Sequence, residues 1–189
     1  MSKNIKKIDI NVSLVGEKPI IFNSTDGNLK DEKIPPQKRL PLVDNKVVIT
    51  ADRLLTFLID NDPKNPPGVV KLVAGRQYKA LINSAKAYVR FSDNNPLLCN
   101  GKEIVFKSME KNPEIEVDKR VLKVGKPQLV ERPMIKNWSV NFKIMLFETP
   151  DISFDGLKDW FGIGGIAVGL GASRPIFGQF NVEKFEIVK

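Results

Sequence analysis

Trp138-Ser139-Val140-Asn141-Phe142-Lys143-Ile144-Met145-Leu146-Phe147 alternates along its length. Trp138, Val140, Phe142, Ile144 and Leu146 hold one parity, and Ser139, Asn141, Lys143 and Met145 the other. Successive side chains of a strand point to opposite faces, so this stretch predicts a strand with one apolar and one open face. Near the N-terminus, Ile8, Ile10, Val12 and Leu14 alternate with Lys7, Asp9, Asn11 and Ser13 in the same way. An apolar sheet face needs a covering layer, and the neighbouring sequence predicts helices for it.

On the C-terminal side, Ser153 is an N-cap for a helix with Phe154, Leu157, Trp160, Phe161, Gly164 and Val168 on one face. Its late glycines let it lie close on a sheet. A glycine-rich loop follows, Gly169-Leu170-Gly171-Ala172-Ser173-Arg174-Pro175-Ile176-Phe177-Gly178-Gln179-Phe180, with Arg174 as its only charge. The last strand runs from Asn181. Phe180 and Val182 share one parity while Phe185 and Ile187 share the other, which predicts a bulge near Glu183-Lys184.

On the N-terminal side, Arg120 to Val124 predicts a strand. The ribbon from Lys119 to Lys136 carries Lys119, Arg120, Lys123, Lys126, Arg132 and Lys136 against Glu131. Residues 23–39 are polar and rich in turn formers, a long loop. Thr50 caps a helix with Leu54, Leu55, Leu58 and Ile59 on its apolar face, ending at Asn61-Asp62-Pro63. A second helical pattern spans Arg76 to Phe91, with Tyr78, Leu81, Ile82, Ala85 and Val89 on one side. Arg76, Lys79, Lys86 and Arg90 lie on the other and read as a solvated face. Residues 92–118 are irregular apart from a short strand at Glu103 to Phe106.

The order strand, helix, strand, strand, helix, strand predicts an α+β chain. Its core is ferredoxin-like (βαββαβ, RRM-like), with loop 23–39, a helical insertion at 62–118 and a basic β-hairpin. Residues 1–189 are expected to form one domain. The open sheet face carries Lys7, Asp9, Asn11, Ser13, Ser139, Asn141 and Lys143 without the aromatics on which an RNA-recognition motif stacks bases.

The net charge of +8 and pI of about 9.5 favour an anionic partner. The chain has no histidine and a single cysteine, Cys99, which removes the commonest general base, the commonest zinc ligand and any disulfide. No metal and no cofactor are expected. The N-terminal MSKNIKKIDI lacks the apolar region of a signal peptide. The longest uncharged apolar run, Trp160 to Ala172, is short of the ~20 residues of a spanning helix, so a cytoplasmic protein with no membrane partner is expected.

The chain resembles the repeat-associated mysterious protein (RAMP) superfamily of CRISPR systems. The likeness rests on the element order, on Leu40 to Asp60 leading into the first helix, and on Gly169-Leu170-Gly171, Arg174 and Gly178-Gln179-Phe180 in the glycine loop. Phe180 stands where the family pattern has its last glycine. The resemblance implies a non-catalytic subunit that binds single-stranded RNA, or DNA, in a CRISPR-type or phage-encoded ribonucleoprotein. Other subunits of that assembly, or further copies in a filament, are the implied protein partners. It also implies a glycine loop along the nucleic-acid backbone and a hairpin acting as a finger.

The residues expected at the interface are Arg174 as a phosphate contact, Gly171 and Gly178 as points of close approach, and Lys119, Arg120, Lys123, Lys126, Arg132 and Lys136 as phosphate-neutralising groups. Two alternatives stay open. One is a protein-interaction module, such as a phage inhibitor or decoy of a CRISPR complex. The other is a histidine-independent crRNA-processing endoribonuclease.

Overall fold

The computed structural model describes residues 5–23, 39–63, 65–108, 111–124 and 126–188, and their side chains apart from those of 122–124 and 126–128. Most of the 23–39 loop lies outside the described residues. In chain order the elements begin with β1 (Lys6–Gly16), β2 (Ile20–Ile21), β3 (Leu42–Val43), β4 (Lys46–Val47), α1 (Ala51–Ile59), α2 (Val69–Val73) and α3 (Tyr78–Tyr88). They continue with β5 (Val89–Phe91), β6 (Leu98–Cys99), β7 (Ile115–Val124), β8 (Lys126–Ile135), β9 (Ser139–Glu148), α4 (Phe154–Ala167) and β10 (Phe180–Ile187). The chain is of the α+β class, with antiparallel sheets and four α-helices among the described residues.

The largest sheet has the order β10-β1-β9-β5, with β6 also paired to β9. Its apolar face is the one the alternation predicts: Ile10, Leu14, Val140, Ile144 and Leu146 are fully buried. α4 covers that face through Phe161, whose ring lies 6.1 Å from Phe142 and 5.6 Å from Phe185. α1 adds Phe57, 5.5 Å from Phe161 and 5.4 Å from Phe180. Each such tilted aromatic pair contributes ~0.5–1.5 kcal/mol beyond its buried area.

Both predicted caps are present. Thr50 Oγ1 accepts from Arg53 N at 3.4 Å, and Ser153 Oγ accepts from Gly156 N at 3.1 Å. The predicted bulge is present as well. Ser13 faces Lys184 and Leu14 faces Val182, which leaves Glu183 unmatched and turns Phe185 back to the core. On the open face Phe147 stands opposite Lys7, so this face carries an aromatic at one end.

The middle strands differ from expectation. Arg120 to Val124 does not join the main sheet; it is part of β7, which pairs along its length with β8 in a separate sheet of order β2-β8-β7. The strand that enters the main sheet is Val89–Phe91, expected as the end of a helix. A β-branched and an aromatic residue there pair with Leu146 and Ile144 once α3 stops at Tyr88. This strand lies inside 62–118, so part of that span belongs to the main sheet rather than to an insertion.

Candidate functional site

The glycine loop is closed on its own protein. Arg174 Nη2 donates to Asp60 Oδ2 at 3.2 Å, and the two side chains are only 9% and 7% exposed. Pro66 O accepts a second, longer bond at 3.5 Å. Burial pushes the Arg174 guanidinium below its ordinary value, and the Asp60 carboxylate opposes that shift. Asp60 is the C-cap of α1, so the expected phosphate contact is instead a tie between loop and helix.

Gly171 and Gly178 have φ of 80° and 72°, a region that disfavours any side chain. A Cβ on Gly171 would stand 2.6 Å from Ile21 O, and one on Gly178 would overlap the Leu170 backbone. Ala172 N donates to Ile21 O at 2.7 Å and Gly178 N to Pro19 O at 2.8 Å. The close approach expected toward a ligand is made by Gly171 toward β2 and by Gly178 toward Leu170 within the loop, with the Gly178 N–H held by Pro19.

The hairpin ribbon is balanced across its strands. Lys119 pairs with Glu131 at 2.9 Å and Lys136 with Glu116 at 2.6 Å. Arg120 and Arg132 share Asp118 at 2.6 and 3.3 Å. Glu116 and Asp118 precede the basic run 119–136 in the sequence, and ion pairs to Lys136, Arg120 and Arg132 set them against it. The side chains of Lys123 and Lys126 lie outside the described residues. Nearer the hairpin tip Val121 and Leu129 stand opposite each other, 60% and 67% exposed.

Where the hairpin meets the glycine loop and the end of β2, guanidinium groups converge. Arg132 on β8 is 2% exposed as a residue. Its Nη2 reaches Asp118 Oδ2 and its Nη1 donates to Asn23 Oδ1 at 3.2 Å, while its Nε is buried with no hydrogen-bond partner. Arg120 donates to Asp118 Oδ1 through Nε at 3.0 Å and Nη2 at 2.6 Å, and its guanidinium lies 4.4 Å over the Phe177 ring. Arg53 of α1 donates to Asn23 O at 3.4 Å and lies 5.3 Å over Phe22. Burial pushes Arg132 below its ordinary value; Asp118 opposes this, and the charges of Arg120 and Arg39 add to it. Burial also lowers Arg53.

A third group of cations behaves differently. From Pro63 to Ser92 the sequence holds Lys64, Lys71, Arg76, Lys79, Lys86 and Arg90 and no acid at all. Arg76, Lys79, Lys86 and Arg90 recur at helical spacing along the short 3-10 turn before α3, α3 itself and β5. All four are exposed, and none makes an ion pair among the described residues. Arg90 Nη1 donates to the Lys86 backbone carbonyl at 3.4 Å, which turns the Arg90 side chain toward the last turn of α3. The signal in the sequence was the missing acids rather than the helical spacing.

Among the described residues no group of three or more Cys, Asp or Glu side chains is placed to hold a metal ion. No described helix is long and apolar enough to cross a membrane. No protein-family model matches the sequence, and no curated protein matches it.

Proposed function

We propose that this protein binds single-stranded nucleic acid, RNA in preference to DNA, without acting on it chemically, and that its core is ferredoxin-like in the RAMP manner. The fold part of this reading is supported by the sheet order β10-β1-β9-β5, all antiparallel, with helices between β1 and β5 and between β9 and β10. A split βαβ pair produces that order.

The observation that carries the binding part is the unpaired cationic stripe Arg76, Lys79, Lys86 and Arg90. A paired base already has its field cancelled at short range, whereas an unpaired one attracts a phosphate and releases its counterion. Four such contacts on a single strand correspond to a slope of log affinity against log salt of about −2.8, at ~0.7 per contact. Stripe contacts of this kind go to the backbone and carry little base readout.

The test is fluorescence anisotropy of labelled single-stranded RNA and DNA over a range of salt. Binding that weakens with that slope, with the oligonucleotide recovered intact, supports the reading. Salt-insensitive binding, no binding, or a cleaved oligonucleotide overturns it.

A second reading, a protein-interaction module, is favoured by the exposed cross-strand pair Val121 and Leu129. Two large apolar side chains facing each other in water are a natural contact for another protein. Co-purification with a protein that survives nuclease, and is lost when both residues become serine, would favour that reading.

A further inference from the structure

We propose that Arg53, Arg120 and Arg132, together with Asn23, form a pocket for one phosphoryl group, separate from the α3 stripe and independent of it. Three observations lead there. The first is charge. Among the described residues Arg120 and Arg132 share one carboxylate, Asp118, and Arg53 bonds to none, so the three guanidinium groups carry a surplus of two positive charges over that carboxylate. Arg39 adds its field at Arg132. A phosphate monoester carries about −1.5 to −2 at neutral pH and matches that surplus.

The second observation is the orphan donor. The Arg132 side chain is 3% exposed and its Nε–H has no partner among the described residues. Buried donors are nearly always paired, so an unpaired one calls for an acceptor. Among the described residues Arg132 Nη1 donates to the neutral Asn23 Oδ1 at 3.2 Å, a weaker acceptor than an oxyanion. The third observation is rigidity. Arg120 is fixed by two bonds to Asp118 and by the Phe177 ring, and Arg53 by Asn23 O and the Phe22 ring. Donors held in place before a ligand arrives lose little freedom on binding it.

The ligand chemistry is a tetrahedral phosphoryl oxyanion, either free phosphate or the terminal phosphate of a nucleotide. Thermal unfolding is followed in inorganic phosphate and in sodium chloride of equal ionic strength. At phosphate about tenfold above its dissociation constant, the Tm is expected to rise by roughly 3–6 °C over the chloride control.

Arg132→Lys is the direct variant, but loss of a buried side chain puts its folding at risk. Asn23→Asp supplies the anion in place and keeps the shape. It is expected to raise the Tm in phosphate-free buffer and to abolish the phosphate response. Arg53→Gln is expected to reduce the response without unfolding the protein. Comparing uridine 5′-monophosphate with uridine and with phosphate identifies the source, since uridine lacks the phosphoryl group and is expected to have no effect.

A wild type with no phosphate-specific shift overturns the proposal, as does an unchanged response in Asn23→Asp. Lys79→Ala with Lys86→Ala is expected to leave the phosphate response intact while weakening oligonucleotide binding. The two proposals can therefore fail separately.

Discussion

Arg174 and Asp60 form an enclosed ion pair, Nη2 to Oδ2 at 3.2 Å, joining residues 114 positions apart. Removing one partner leaves the other charge buried without compensation, which costs ~3–5 kcal/mol. Arg174→Ala is therefore expected to lower stability by about that amount in urea unfolding. Oligonucleotide affinity per folded molecule is expected to stay unchanged. A large loss of affinity with normal stability would return Arg174 to the interface.

The α3 stripe makes the opposite expectation. Lys79→Ala and Lys86→Ala change exposed side chains that have no ion-pair partner among the described residues, so stability should move by no more than ~0.5 kcal/mol. Each is expected to weaken oligonucleotide binding and to reduce the salt slope by about 0.7. Anisotropy titrations at several salt concentrations measure both quantities.

Asp118 separates a structural carboxylate from a surface one. Asp118→Ala strips Arg132 of its counter-charge inside the protein and is expected to cost ~3–5 kcal/mol. The Lys119–Glu131 pair is 62% and 40% exposed, and a double-mutant cycle there should give a coupling of only ~0.2–1 kcal/mol. Equal effects at the two places would contradict the balanced-hairpin picture.

Gly178→Ala is expected to destabilise by at least ~1–2 kcal/mol from its left-handed backbone alone. Overlap with Leu170 adds to that. Denaturant unfolding checks it, and a neutral result would mean that the loop leaves Pro19 when Gly178 is replaced.

Cys99 gives a pH-dependent readout. Burial pushes its thiol up, with the Glu103 charge adding to the shift. A raised pKa holds the neutral thiol in the folded state. The associated stability is complete below the unfolded thiol's pKa and is lost as pH rises through the folded one. Alkylation of the folded protein near pH 8.5 is thus expected to be slower than that of the urea-unfolded chain. Equal rates would show that the environment leaves the thiol unaltered.

Local chemistry was legible in the sequence, and long-range pairing was not. The alternation of residues 138–147, the Thr50 and Ser153 caps and the parity break at Glu183 each depend on neighbours in the chain, and each is present. Val89–Phe91 read as helix because its apolar side continues the α3 pattern; β9 decides otherwise. The sequence shows only Arg120 to Val124 of the longer strand β7 because the hairpin buries residues of both kinds, Ile115 and Ile135 near its base and the charged Arg132 farther along β8. A buried arginine looks like a surface one until Asp118 is placed opposite it. The roles of Arg174 and of the glycines were hidden for the same reason, since Asp60 and Pro19 are far away in sequence. The unpaired stripe was legible in principle, as a run without acids.

β1 lies between β9 and β10, and both of its neighbours come from the part of the chain beyond residue 138. On the ribosome, the central strand of the main sheet is therefore made long before either flanking strand exists. Its two rows of backbone groups, and Ile10, Val12 and Leu14, wait unpaired through most of synthesis. The pairing of β1 with β10 can form only once β10 has emerged, so closure of the sheet is expected late in synthesis. Stalling or truncation before β10 leaves an open central edge, the kind of surface on which chains aggregate.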